Sequence, residues 1–239
     1  MSDRRVRDAM VVGLLVAGGM ALCGFFIGNG LLRARAADRY VTVKGLSERE
    51  VAANLVIWPI TFTVTADDLG TLQRGVDESA EKIKEFLAGD FEKEEISTSA
   101  SRVTDRQAQG MIGQGGGRLE RFVAEATVIV RTSRISAVQG AMERSGTLVR
   151  RGVALIRSYD NTTQYLFTSL DEIKPEMIRE ATRDARRAAQ QFADDSGSRV
   201  GGIRTAQQGY FSITDRDQFS PEFKRVRVVT TVQYFLVSD

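Results

Sequence analysis

The feature that most constrains this chain is an uncharged apolar run near its N-terminus, from Ala9 to Leu32. An α-helix rises about 1.5 Å per residue, so a run of about two dozen residues can cross the roughly 30 Å hydrocarbon core of a bilayer. The run is also rich in glycine, which transmembrane helices tolerate well. We therefore predict a single-pass membrane anchor over residues 9–32.

Large apolar side chains give the predicted anchor its hydropathy, namely Val11, Leu14, Leu15, Leu22, Phe25, Phe26 and Ile27. A cleaved secretory signal is the alternative, because Ala34-Arg35-Ala36 has the small-x-small form of a cleavage site. A signal core usually has only about 7 to 15 apolar residues, which favours retention of this longer run. The sequence leaves cleavage after Ala36 open.

Arginine residues flank the apolar run on both sides, so the charge rule alone does not orient it. Residues 1–8 have the length of a short cytoplasmic tail, and long downstream domains are translocated largely regardless of charge. We predict that residues 33–39 are a linker and that residues 40–239 form a periplasmic domain. The chain would then be a single-pass protein of the bacterial inner membrane.

The body of the chain lacks the side chains of the commonest active sites. The sequence has no histidine, and its single cysteine, Cys23, lies in the apolar run. Histidine-dependent nucleophiles and histidine-ligated zinc are therefore excluded, whereas serine–lysine dyads, carboxylate pairs and calcium sites remain open. The formal net charge is only +2, with acids and bases intermixed, which argues against a nucleic-acid partner. We expect no enzymatic activity, no cofactor and no metal.

Strand and helix patterns alternate along the body. Alternating and β-branched runs predict strands at residues 40–45, 51–65, 95–106, 121–132, 152–158, 163–168, 202–214 and 224–237. Apolar residues spaced three and four apart predict helices at residues 69–87, 133–149 and 171–195. This order predicts an α+β body of mostly antiparallel sheet with about three packed helices. The spacing does not distinguish one domain from two fused halves.

The first and last of these helices carry the clearest local signals. Asp67 and Asp68 are typical of a helix start, and Gly197 is placed to end the last helix. The first helix presents the stripe Leu69, Leu72, Val76, Ala80, Ile83 and Leu87. The last presents a narrow stripe of mostly small residues, Ile178, Ala181, Ala185, Ala188 and Phe192. The small residues predict a close approach of this helix to its sheet.

Two places in the predicted strands are candidates for contacts between copies of the chain. Pro59 lacks a ladder donor, so its strand is predicted to be at an edge or bulged there. Its neighbour Trp58 is the only tryptophan, and either core packing or an exposed edge that anchors a partner strand accounts for it. The run 113–117 lacks the helix that follows a phosphate-binding loop, so we predict a hairpin tip. Because such a tip stands on two long strands, its contact with a neighbouring subunit is a binding hypothesis. The candidate oligomer contacts are Trp58, Pro59, Gly113, Gly115, Gly116 and Gly117.

Carboxylates cluster in one predicted loop, where Asp215 and Asp217 lie near Glu222. Closely spaced carboxylates bind calcium, but this loop lacks the run of oxygen donors and the glycine of an EF-hand. A solvated turn is the better interpretation.

Several segments together resemble one family: YVTVKGLSERE at 40–50, VTDRQ at 103–107, VALIRSY at 153–159, IKPEMI at 173–178, FADDSGS at 192–198 and RVRVVTT at 225–231. They are similar to the SIMPL-domain family, in the membrane-anchored bacterial branch related to periplasmic immunogenic antigens. The resemblance implies an envelope protein of α+β fold, with relatives that form ring-like or channel-like homo-oligomers and are linked to oxidative or envelope stress. It implies no catalytic residue.

We therefore expect a non-enzymatic, membrane-tethered periplasmic protein that self-assembles into a ring-like homo-oligomer and serves as an envelope scaffold or stress-related interaction surface. The sequence does not identify a protein partner. The alternative is a periplasmic binding module for a small ligand or a peptide strand, which a pocket with convergent polar groups would favour. A histidine-free hydrolase would need a buried lysine or a carboxylate of raised pKa.

Overall fold

The computed structural model describes residues 13, 15, 17–30, 39–110, 119–156 and 161–237. Residues 17–30 form helix α1. None of the helices in this described part is both long and apolar enough to cross a membrane. Of the predicted anchor, Val11 and Leu14 lie outside the described residues, while the side chains of five others are exposed: Leu15, Leu22, Phe25, Phe26 and Ile27.

The body is α+β with mostly antiparallel sheet, as predicted. Its helices are α2 (Leu69–Leu87), α3 (Ile135–Arg144), α4 (Gly146–Arg150) and α5 (Leu170–Asp195). Its strands are β1 (Tyr40–Ala52), β2 (Leu55–Ala66), β3 (Ile96–Thr98), β4 (Arg102–Asp105), β5 (Phe122–Thr132), β6 (Ala154–Leu155), β7 (Gln164–Leu166), β8 (Arg199–Gln208), β9 (Ser212–Asp215) and β10 (Phe223–Val237).

The chain divides into two compact units. Unit 1 comprises Met1–Glu48, Lys174–Phe211 and Arg227–Asp239, and unit 2 comprises Arg49–Ile173 and Ser212–Val226. Each unit has its own hydrophobic cluster.

Unit 2 is built on a sheet of order β3-β5-β2-β6, in which β4 also pairs with β5 and β7 with β2. β2 and β5 run antiparallel in continuous register from Val56↔Thr132 to Ala66↔Phe122. Alternate residues of a strand point to the same face, and those of β2 that are buried in the unit 2 core are Val56, Trp58, Ile60, Phe62 and Ala66. α2 and α3 contact this sheet, and the core lies between the two layers.

α2 has both features that the sequence predicts for it, an N-cap and a buried apolar stripe. The Asp68 carboxylate accepts a hydrogen bond from the Thr71 N–H at 2.9 Å, which caps the helix. The predicted stripe is buried from Leu72 to Leu87, whereas Leu69 is exposed.

The single helix predicted at 133–149 is wrong, because the segment forms α3 and α4. Between them Ser145 donates from both its N–H and its hydroxyl to the Met142 carbonyl, at 3.1 and 2.7 Å. Such local hydrogen bonds compete with a continuous helix, and the following Gly146 has low helix propensity.

Unit 1 packs α5 against the sheet of order β1-β10-β8. The unit 1 core consists of Val43, Ala185, Ala189, Val232 and Tyr234. α5 approaches β1 so closely that a Cβ added to Gly45 would lie 1.8 Å from the Ala181 carbonyl oxygen. The predicted close approach of a small-residue helix is therefore confirmed.

Two hydrogen bonds fix this approach. The Leu46 N–H donates to Asp184 at 3.0 Å, and the Ser47 hydroxyl donates to Glu180 at 2.7 Å. At the far end, Gly197 has a φ of +62° and the Ser198 N–H donates to the Ala193 carbonyl at 2.8 Å, which confirms Gly197 as the end signal.

The predicted stripe of α5 is partly wrong. The residues that are buried follow one another at intervals of four, as Met177, Ala181, Ala185, Ala189 and Ala193, and Phe192 is 58% exposed. At Ala181 and Ala185 the short distance to β1 at Gly45 favours alanine over a larger side chain.

Two strand predictions also need correction. The strand expected at 95–106 is interrupted and gives β3 and β4, and the one expected at 202–214 gives β8 and β9. In the second case Gly209 lies against β10, where its N–H donates to the Val229 carbonyl at 2.9 Å and an added Cβ would lie 2.5 Å from that oxygen.

Candidate interaction sites

Pro59 lies in an interior strand, so the prediction of an edge or a bulge is wrong. β2 is paired with β5 along one side, including Pro59↔Ile129. Its other side is shared by two short strands, since β7 pairs with residues 55–57 and β6 pairs with Phe62 and Thr63. Residues 58–60 therefore have no strand partner on that side among the described residues.

Proline is tolerated in this interior position because its missing N–H would face the side on which the described residues provide no strand partner. The Thr61 carbonyl accepts from the Ile156 N–H at 2.9 Å on the β6 side. The backbone N–H and C=O groups of every second residue point to the same side of a strand. The backbone groups of Pro59, two residues before Thr61, therefore also face the gap. Because proline has no N–H, only the Pro59 carbonyl is directed there.

A cavity of about 540 Å³ lies at this gap, and we call it the β2 cleft. Its apolar lining includes Trp58, Ile60, Met142, Val149 and Leu155. Its polar lining consists of Thr61, Ser145, Asn161, Thr162 and Thr163. No charged side chain lines the cleft within the described part of the chain. β2, the α3–α4 corner and the segments around β6 and β7 build it together.

The polar groups of the cleft are held by neighbours within unit 2. The Asn161 amide donates to the Thr61 hydroxyl oxygen at 3.4 Å, and Thr61 shares a buried hydrogen bond of 3.1 Å with the Thr127 hydroxyl. The Ser145 hydroxyl donates to the Met142 carbonyl, which leaves the serine oxygen as an acceptor.

Unit 1 offers a different kind of site, the outer edge of β8. β8 ends the order β1-β10-β8, so in the described residues it has a strand neighbour on one side only. Because Gly209 donates to Val229, the backbone groups of alternate residues Thr205 and Gln207 face β10. The backbone N–H and C=O groups of Ala206 and Gln208 therefore point away from β10. Beyond this end of β8 lies the fully exposed Tyr210.

Two carboxylates of the loop that was weighed as a calcium site, Asp215 and Asp217, are engaged by neighbouring groups. Asp215 forms an ion pair with Lys224, whose side chain is only 9% exposed. The Phe219 N–H and then the Arg216 guanidinium hold the pKa of Asp217 below its ordinary value of 3.8. No group of three acidic or cysteine ligands is arranged to hold a metal within the residues that the structure describes.

Only part of the predicted contact set can be located. Trp58 is 7% exposed and belongs to the unit 2 core, and with Pro59 it lines the β2 cleft. Gly113, Gly115, Gly116 and Gly117 lie outside the described residues. Sequence reasoning missed the opposite wall of the cleft, although Ser145-Gly146 gave a local signal as a break inside a helical pattern.

The two antiparallel sheets, each packed against helices, define an α+β protein. The chain belongs to the SIMPL family, described as a protein of unknown function (DUF541), whose family model matches residues 41–234. The match extends from β1 to near the end of β10. No curated protein matches the chain.

Proposed function

We propose that this protein is a non-enzymatic, membrane-tethered envelope protein that self-assembles into a ring-like homo-oligomer. Residues 9–32 would hold the body in the periplasm, at the bacterial inner membrane, as in the membrane-anchored branch related to periplasmic immunogenic antigens. The assembly would act as an envelope scaffold or a stress-related interaction surface. The uncharged run of the sequence supports the tether.

The observation that carries the self-assembly is the outer edge of β8. An edge strand presents unpaired N–H and C=O groups that are a template for another strand, and proteins usually shorten, charge or cover such edges. β8 is ten residues long and contains no proline. Residues 205–208 of β8 pair with β10 in regular register and are uncharged, so we expect this part of the edge to be covered by a second copy.

The two ends of the unit 1 sheet support the ring form of this proposal. β1 and β8 are the end strands of the order β1-β10-β8, and they differ in length and sequence. Pairing the β8 edge of one copy with the β1 edge of the next is a head-to-tail contact, which closes into a ring when the rotation permits.

An edge-blocking variant tests this proposal. Ala206→Pro removes an outward-facing N–H and leaves the ladder to β10 intact, whereas Ala206→Ser keeps the N–H and is the matched control. Size-exclusion chromatography with light scattering should show an oligomer for the wild type and A206S, and mostly monomer for A206P. A wild type that is monomeric at micromolar concentration, or an A206P variant that assembles normally, would contradict the role of β8.

The tether is tested separately on isolated membranes. Alkaline carbonate should leave the full chain in the membrane pellet and release a variant that lacks residues 1–39. Release of the full chain by carbonate would contradict the anchor without bearing on assembly.

A further inference from the structure

We propose that one face of α5 binds the phosphate groups of anionic phospholipids in the membrane that holds the chain. This α5 arginine face consists of the exposed side chains of Arg179, Arg183, Arg186 and Arg187. The inference rests on the membrane tether of the proposed function and adds a second contact with the same bilayer. It does not depend on self-assembly.

The cations and the carboxylates in the middle of α5 are directed to different places. The arginines lie on the side of the helix opposite its buried alanines. The carboxylates of Asp184 and Glu180 instead accept hydrogen bonds from Leu46 and Ser47 of β1, at 3.0 and 2.7 Å. Arg187 also contacts Asp184 at 2.8 Å, yet its side chain is 80% exposed. The helix therefore presents a mostly positive surface to the solvent.

Helix stability does not account for this row of arginines. Arg183 has Arg179 and Arg187 four residues away and Arg186 three residues away. Like charges at these spacings repel each other and weaken a helix. Cations favour a helix in its last turn, and the last turn of α5 has none. A bound anion would relieve the repulsion, so the row indicates an anion-binding surface.

The arginine face contains a hollow of about 550 Å³ that a phosphate group can enter. Its lining consists of Glu180, Arg183, Arg186, Arg187 and Gln190. Guanidinium groups bind phosphate oxygens through paired N–H donors, and the Gln190 amide is a further donor. These donors are suited to a phospholipid headgroup.

The charge of unit 1 also fits an anionic membrane. Beyond the predicted anchor, its ranges contain twelve arginines and lysines against eight aspartates and glutamates, a surplus of four positive charges. Unit 2 contains eighteen basic and twenty-one acidic residues, a surplus of three negative charges. The basic side chains are therefore in excess in the unit that directly follows the anchor.

The length of the linker keeps the arginine face near the membrane. Residues 33–39 join the predicted anchor to β1, and seven residues span at most about 25 Å. Val41 of β1 and Ala188 of α5 both pack against the unit 1 core, so this part of α5 lies near the start of β1. An arginine close to an anionic leaflet strengthens the attraction by about fivefold.

An acidic surface of a second copy is the less suitable partner. α2 carries several acids, but Glu78 pairs with Lys82 and Glu81 pairs with Lys84, each at 2.8 Å within the same helix. Carboxylates that already have a countercharge gain little from the arginines of another copy. The phosphates of an anionic leaflet have only mobile counterions, which the arginines can displace.

Chemical footprinting of the full chain tests the docking. The chain is reconstituted in nanodiscs of phosphatidylcholine alone, or of equal parts phosphatidylcholine and phosphatidylglycerol, and is treated with phenylglyoxal, a neutral reagent for guanidinium groups. We expect Arg183, Arg186 and Arg187 to be labelled about fivefold more slowly in the anionic discs. Sodium chloride at about 1 M should abolish the difference, because it shortens the Debye length to about 3 Å. Arg74, exposed on α2, is the internal control and should be labelled equally in both discs.

Removal of charge gives a second measure. R183Q/R186Q removes two cations from the arginine face and leaves the contact of Arg187 with Asp184 in place. K82Q/K84Q removes two cations from α2 and is the matched control. Native mass spectrometry in mild detergent should show about fivefold less retained phosphatidylglycerol for the α5 variant than for the wild type, and an unchanged amount for the control.

Equal labelling in the two kinds of disc, or an α5 variant that retains as much phosphatidylglycerol as the control, would overturn the inference. Glycerol phosphate added to phosphatidylcholine discs should not slow the labelling. If this soluble anion protects the arginines as well as the lipid does, the site binds free phosphate and lipid docking is wrong.

Two further results separate this inference from the proposed function. A chain that does not enter the discs would refute the tether and the docking together. A206P should be protected like the wild type, because the arginines lie on α5 and not at the β8 edge. Protection that is lost in a monomeric A206P variant would assign the arginines to a contact between copies and would overturn the docking alone.

Discussion

Replacing Gly45 by alanine perturbs the contact on which unit 1 depends. The added Cβ would lie 1.8 Å from the Ala181 carbonyl oxygen and 2.4 Å from the Ala185 amide nitrogen. Both obstacles are backbone atoms of α5, so no side-chain rotation relieves the clash. Ordinary contact between such atoms begins near 3.4 Å, and α5 must therefore retreat by roughly 1.6 Å.

The cost of this retreat has two parts. Overpacking of a well-packed core typically costs about 1–3 kcal/mol. Moving α5 away also weakens the hydrogen bonds of Leu46 with Asp184 and of Ser47 with Glu180, at about 1 kcal/mol each. We expect G45A to lower the free energy of unfolding by about 3–5 kcal/mol, a large part of the roughly 5–15 kcal/mol that stabilises a domain.

Denaturant unfolding followed by circular dichroism measures the loss, and hydrogen exchange of the α5 amides locates it. Gly202→Ala is the control, because Gly202 is also in a strand of unit 1 and its Cβ position is open. The control should change stability by no more than about 0.5 kcal/mol. If G45A destabilises the protein no more than G202A does, the close packing of α5 on β1 is refuted.

Three further changes have defined outcomes. Asp68→Ala removes the N-cap of α2 and should cost about 1 kcal/mol in denaturant unfolding, with Asp68→Asn nearly neutral. Ile83→Ala, at a fully buried core position, should cost about 2–5 kcal/mol, and a loss below 1 kcal/mol would contradict the packing of α2. The Leu46 N–H, followed by Arg187, holds the pKa of Asp184 below its ordinary 3.8. A lowered pKa stabilises the fold above that ordinary value and loses its effect as the pH falls through the folded value, so Asp184→Asn should be less stable than wild type near neutral pH and should match it in strong acid. A stability difference that is independent of pH in urea titrations would contradict this role.

The parts of the fold that could be predicted are those with local causes. The start of α2 follows from the Asp68 cap and the end of α5 from Gly197, because a cap acts through the backbone of its own turn. The stripe of α5 was only partly predictable. Its periodicity admits Phe192 as readily as Ala193, and it does not show from which direction the sheet contacts each turn of the helix.

The sequence indicates only one wall of the β2 cleft. Trp58 and Pro59 are neighbours in the chain, and their composition marks an unusual place in a strand. The opposite wall comes from Ser145 and from residues 161–163, about a hundred residues away, and no local pattern connects these segments with β2. The position of β8 at the edge of its sheet could not be predicted either, because a strand pattern does not show which strand will be outermost in a sheet.

The most direct test of self-assembly is the mass of the full chain, extracted in mild detergent and measured by native mass spectrometry with negative-stain imaging. A closed ring predicts a single multiple of the 26.3 kDa chain mass and particles with a ring outline. A mass equal to one chain, or a continuous series of masses without a closed particle, would contradict it.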